Sequence, residues 1–153
     1  MAGLDTSFES AEDSRGLLLW QVSNRWQASQ RATLKPLGLT HVQFVLLASL
    51  AWLEGESSEP VTQQQLAAHA AADPMMTSQV LRVLEGRGLL QRQAHPADRR
   101  ARSLVVTPPG RALANQAVVV VEACDRSWFG VLGRDADTLA RLLRRLSEAG
   151  ARD

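Results

Sequence analysis

The stretch HPADRRARSLVVT (His95–Thr107) sets one carboxylate, Asp98, among three guanidinium groups, Arg99, Arg100 and Arg102, at the mouth of an apolar run. Guanidinium forks match phosphate oxygens, and a carboxylate nearby can orient an arginine by a charge-assisted hydrogen bond. The cluster is either a solvated turn or a device aimed at something negative. About twenty residues upstream, Thr77, Ser78, Gln79 and Arg82 supply two hydroxyls, an amide and a guanidinium. That is the chemistry that base edges and phosphates require. The formal net charge is only +1, but seven arginines face two acids between Arg82 and Arg111. The first sixteen residues carry four acids and one arginine, and Glu54, Glu56 and Glu59 form a second acidic patch. Binding to a polyanion follows the local field, so this asymmetry outweighs the total.

The elements that must position these groups are legible from periodicity and punctuation. Arg15 to about Lys35 reads as a long helix on the spacing of Leu18, Leu19, Val22 and Trp26, stopped by Pro36-Leu37-Gly38. Thr40 caps a second helix, THVQFVLLASLAWLE, apolar almost all round and therefore central to the core. GESSEP is a loop by composition. Thr62-Gln63-Gln64-Gln65 fits a capping box and opens a short helix that buries Leu66 and Ala67. Asp73-Pro74 pairs an N-cap acid with a proline at the first helical position and opens a fourth helix, which ends around Gly86–Gly88. LLQRQ and RSLVVT read as two β-strands, and Thr107-Pro108-Pro109 ends the second. A long helix through VVVVEACDRSWFGVL and a last helix, with Leu139, Leu142, Leu143 and Leu146 on one face, complete the chain.

Two capped helices joined by the small residues AAAD form a helix-turn-helix, and a hairpin with a basic loop directly after it adds a wing. The fold class expected is mainly α with a small β-hairpin wing (α+β). In such a unit the second helix lies in the major groove. Met76, Val80, Val83 and Leu84 space out as its inward stripe, which leaves Thr77, Ser78, Gln79 and Arg82 facing outward.

The segment ADPMMTSQVLRVLEGRGLLQRQAHPADRRARSLVVTPPGRAL (Ala72–Leu113) resembles the core of the MarR family of transcriptional regulators. The matching features are LE-x-x-GL at Leu84–Leu89, Arg92, D-R-R at Asp98–Arg100 and T-x-x-G at Thr107–Gly110. Upstream, LTHVQFVLLASLAW looks like the family's second helix, so the likeness spans roughly Leu17 to Leu146. The resemblance implies a repressor of DNA transcription, with Arg100 inserted in the minor groove and Asp98 orienting the wing. Arg99 and Arg102 are then phosphate contacts or partners of Asp98. It also implies a homodimer on a pseudo-palindromic operator of double-stranded DNA. Residues 1–35 (an acidic segment and the first helix) and 109–153 would dimerise, and 36–108 would form the DNA-binding lobe. A small aromatic effector is a further implied partner; Trp20, Trp26 and Trp52, with Trp128, would line its pocket where the first, second and fifth helices meet the DNA-binding lobe.

Other classes find less support. Scattered His41, His69 and His95 do not resemble a zinc site, and one cysteine excludes an intramolecular disulfide. Neither a cofactor nor an enzymatic motif is expected, because glycine-rich phosphate loops and paired catalytic carboxylates are lacking. Asp135 and Asp137 suit a helix N-terminus. Cys124 invites a redox-sensor reading, but family members that sense peroxide carry that cysteine in the first helix, and a free cysteine on an apolar helix is ordinarily a small core hydrophobe. A winged helix serving as a protein-interaction or dimerisation module, without DNA binding, is the rival reading. With no long apolar span and no basic-then-apolar leader, the expected location is cytoplasmic.

Overall fold

Six helices and three short strands follow one another in a computed structural model that describes residues 3–151. The outermost positions of the expected terminal segments, 1–2 and 152–153, lie outside the described residues. Helix α1 (Arg15–Leu34) starts where the Ser14 hydroxyl accepts from the Leu17 N–H. It ends in a 3-10 turn at Lys35–Leu37, followed by Gly38 at φ 68°, a left-handed position that glycine adopts without Cβ strain. Helix α2 (His41–Glu56) opens on a capping box between Thr40 and Gln43. It buries Phe44, Leu46, Leu47 and Leu50 and is the central core helix.

Strand β1 (Val61–Thr62) leads into α3 (Gln63–His69), whose start is the expected capping box of Thr62 and Gln65. Helix α4 (Pro74–Gly86) begins with the Asp73 carboxylate accepting from the Met76 N–H at 2.7 Å. The turn between α3 and α4 places Ala71 at φ 49°, and the Ala72 N–H reaches back to the Ala67 carbonyl at 2.9 Å. Small side chains let the two helices meet this closely.

Strands β2 (Leu90–Ala94) and β3 (Arg102–Val106) pair antiparallel, with Leu90 opposite Val106 and Ala94 opposite Arg102. The expected hairpin is therefore present, but the sheet has three strands in the order β1-β3-β2 rather than two. The third is β1, which lays Val61 opposite Leu104 and Thr62 opposite Ser103. Two residues carry no alternation, so no periodic signal announces that strand.

Helix α5 (Pro108–Phe129) starts on the Thr107 N-cap, with Pro108 and Pro109 in its first turn. A 3-10 turn at Gly130–Leu132 leads to α6 (Asp135–Gly150). The core joins the end of α1, α2, α3, α4, the sheet and the first half of α5, through Leu34, Leu46, Leu47, Leu50, Leu66, Leu81, Leu84, Leu104 and Ala117.

The outer helices are different. Helix α1 buries only Gln30 and Leu34 in its own chain, while Leu18, Leu19 and Val22 are exposed. Helix α6 buries nothing, and Leu142, Leu143 and Leu146 face outward. No single helix among the described residues is long and apolar enough to cross a membrane.

Candidate nucleic-acid interface

Helix α4 presents its polar face because its core face is set by Thr77, Leu81 and Leu84, all at 0% exposure and spaced by four and three residues. This corrects the expected stripe. Thr77 points inward, so its side chain does not belong to the outward set, and Val83 is 49% exposed rather than buried. Hydrophobicity alone favoured Met76, Val80 and Val83 as the inward positions. The close approach of α3 and α2 instead leaves room for a small β-branched residue, and the helix turns by about one position, or 100°. Val80 still packs against the core from the side. Ser78 is half-buried, whereas Gln79 and Arg82 are exposed on the open face, with no ion pair to Arg82 among the described residues.

The wing is the seven-residue loop 95–101 between β2 and β3. The His95 N–H donates to the Ala101 carbonyl and the Ala101 N–H to the Asp98 carbonyl, each at 3.2 Å, which folds the tip into a turn. Asp98 Oδ1 accepts the Arg100 backbone N–H at 2.9 Å. The carboxylate thus shapes the loop through the main chain, and no ion pair joins it to Arg99, Arg100 or Arg102 among the described residues. All three guanidinium groups sit on exposed residues that have no acidic partner among the described residues.

Two further residues brace this surface, and sequence reading did not single them out for it. Arg92 on β2 donates from Nη1 to Gln63 Oε1 at 3.1 Å and lies 3.3 Å from the Glu85 carboxylate through Nε. One side chain therefore ties the wing to the first residue of α3 and the last turn of α4. The Nε contact is close enough for ionic attraction but is not aligned as a hydrogen bond, so the Gln63 bond supplies the direction. Glu54, expected as part of an acidic surface patch, is mostly covered and accepts from the Val106 N–H at 2.7 Å and from Arg111. Arg92 stood out in the sequence only as a motif position, and the pairing of these charges with distant partners is not something periodicity can show.

Of the tryptophans expected around one pocket, Trp26 and Trp128 are part-buried. Trp20 and Trp52 are 69% and 64% exposed. Trp26 sits where α1, α2 and α5 meet; its indole N–H donates to Asp125 Oδ1 at 2.9 Å and its ring stands edge-on to His41, centroids 5.0 Å apart. Gln30 donates to the same Asp125 oxygen at 2.6 Å. Burial, then the Arg31 cation, push the His41 imidazole below its ordinary range, and Asp125 pulls the other way. An apolar cleft of about 1030 Å³ lies between α1, α5 and α6, lined by Val22, Cys124, Trp128, Phe129, Leu139 and Leu142 among others; of the four expected tryptophans it takes Trp128 and not Trp20, Trp26 or Trp52. No cluster of metal-ligating side chains occurs among the described residues.

A short capped helix, a tight turn, a second helix with an open polar face and an arginine-tipped hairpin define a winged helix-turn-helix protein. The MarR family model matches residues 39–101. The chain is 35% identical to the HTH-type transcriptional regulator YdcH of Bacillus subtilis (strain 168), over 90% of this chain and 92% of that one. The protein belongs to the MarR family of transcriptional regulators. Among solved structures it is similar to BpsR of Bordetella bronchiseptica (29% identity, TM-score 0.82, covering 92% of this chain and 98% of that one). The repressor CouR of Rhodococcus jostii RHA1, bound to a 23-mer DNA duplex, is also similar (26% identity, TM-score 0.80, covering 94% and 99%).

Proposed function

We propose that this protein is a cytoplasmic, non-enzymatic repressor that binds a pseudo-palindromic operator as a homodimer and is released by a small aromatic effector. The observation that carries the reading is the pairing of two open surfaces on one head: the polar Gln79 with the cationic Arg82 on α4, and Arg99, Arg100 and Arg102 on the wing. With α4 in the major groove, Ser78, Gln79 and Arg82 meet base edges and phosphates. Arg100 then enters the neighbouring minor groove, where a narrow groove concentrates negative potential, and Arg99 and Arg102 meet phosphates.

Residues 36–108 form the DNA-binding lobe in this reading, and 1–35 and 109–153 the dimerising segments. Support comes from α6, a sixteen-residue helix that buries nothing in its own chain, and from the apolar cleft beside it. A second copy covering Leu142, Leu143 and Leu146 removes that apolar area from water and sets two wings on one symmetry axis. CouR is a repressor seen on DNA, and the DNA binding of BpsR is regulated by 6-hydroxynicotinic acid. For this chain the effector acts at the junction of α1, α2 and α5, where Trp26 is placed.

Selection of bound fragments from a random DNA pool tests the reading and returns half-site and spacing together. The expected product is an inverted repeat with half-sites about one helical turn apart. Arg100→Ala is expected to weaken binding to it and to lower the salt slope by about 1, with the dimer intact by sedimentation. Failure to enrich any sequence at low salt favours the protein-interaction module instead.

A further inference from the structure

Met75 is the second residue of α4 and is 72% exposed, although α4 has a well-filled core face of its own. Its backbone is held firmly: Pro74 precedes it in the first turn, and Asp73 caps the Met76 N–H immediately after it. Gln79 and Arg82 follow at four and seven residues, so Met75 heads the same stripe of the helix. It is the one large apolar group on that stripe. Val83, the other exposed hydrophobe of α4, lies about 80° round the axis.

A stripe that reads the major groove meets hydrogen-bond donors and acceptors and one apolar group, the C5-methyl of thymine. The amide of Gln79 and the guanidinium of Arg82 offer that methyl no apolar surface. A thioether can, because it is long, unbranched and polarisable. The amino-terminal residues of a recognition helix also penetrate the groove furthest. We propose that Met75 is a specificity-determining residue that reads one thymine in each operator half-site by packing on its C5-methyl group. The proposal rests on the DNA-binding reading above and names a base that the polar residues do not select.

Deoxyuridine lacks only that methyl and keeps every hydrogen-bonding group of thymine. Each thymine of the selected operator is replaced by deoxyuridine in turn, and affinity is measured for the full-length wild type and for Met75→Ala. For the wild type, one position per half-site is expected to lose about four-fold, the equivalent of one buried methyl. Met75→Ala removes the contact in both half-sites of the dimer, so it is expected to lose about sixteen-fold on thymine DNA, the product of the two single-site losses, and to show no further loss on deoxyuridine DNA, while Met75→Leu retains most of the discrimination. Wild-type indifference to deoxyuridine at every position overturns the proposal while leaving DNA binding intact. So does a Met75→Ala protein that still distinguishes the two bases. Absence of any DNA binding overturns the DNA reading first and this inference with it. The wild-type scan stands without any variant.

Discussion

The backbone N–H of Val106 donates to Glu54 Oε1 at 2.7 Å, and this bond stands where a strand is missing. Strand β1 pairs with β3 only at Ser103 and Leu104, so the Val106 N–H on that edge has no ladder partner. The carboxylate from the last turn of α2 takes the place of a strand carbonyl, and its second oxygen holds Arg111 at the start of α5. Helix α2, the wing strand and the long α5 are thereby joined at one side chain.

Glu54→Ala is expected to destabilise the fold by about 1–3 kcal/mol, mainly because a part-buried amide loses its acceptor. Glu54→Gln keeps an acceptor for Val106 but loses the charge facing Arg111, which is half exposed, and is expected to cost less. Urea titration of both variants separates the two contributions.

Thr77 is fully buried and its hydroxyl has no hydrogen-bond partner among the described residues. Thr77→Val keeps the branched shape and deletes that hydroxyl, so stability is expected to hold or to rise by up to about 1 kcal/mol, with DNA affinity unchanged. Thr77→Arg is expected to unfold the head, because the cation has no solvent to enter. An outward-facing residue would instead tolerate arginine and bind DNA more tightly, so the two substitutions measured by thermal melting and by binding decide the orientation.

At Gly110 an added Cβ would overlap the Leu89 carbonyl oxygen, backbone against backbone. Helix α5 therefore approaches the start of β2 as closely as glycine permits, and Thr107 locks the same corner by donating to the Gly88 carbonyl at 2.6 Å. Gly110→Ala is expected to cost at least about 2 kcal/mol, since neither backbone can move without shifting the wing. The loss should appear as a lower urea midpoint.

Because the folded state disfavours the His41 cation, the unfolded chain takes up a proton near pH 6.5 before the folded one does. Stability is therefore lost as pH falls through 6.5 towards the lower folded value, and is fully present above 6.5. His41→Asn is expected to lose less stability than the wild type between pH 7.5 and pH 5.5, read as the change in urea midpoint. Carboxylates elsewhere contribute equally to both proteins, so the difference isolates the imidazole.

The elements were legible in the chain because their signals are local. Thr62 with Gln65, Asp73 with Pro74 and Thr107 with its two prolines each close hydrogen bonds within one turn, so residue type and spacing suffice. The wing was legible for the same reason: Asp98 acts on the Arg100 N–H two residues away. By itself, then, the sequence determined the order of the six helices and the wing hairpin, the winged helix-turn-helix class and the arginine cluster at its tip.

The tertiary structure decided everything that depends on distant residues meeting. It rotated α4 so that Thr77 faces in and Met75, Gln79 and Arg82 face out. It set β1 beside β3, brought Glu54 to Val106 and Arg92 to Gln63, and part-buried Trp26 while leaving Trp20 and Trp52 exposed. The physical reason is shared: helix phase and cross-chain hydrogen bonds are settled by how neighbouring elements pack, and hydropathy ranks residues without knowing what lies opposite them.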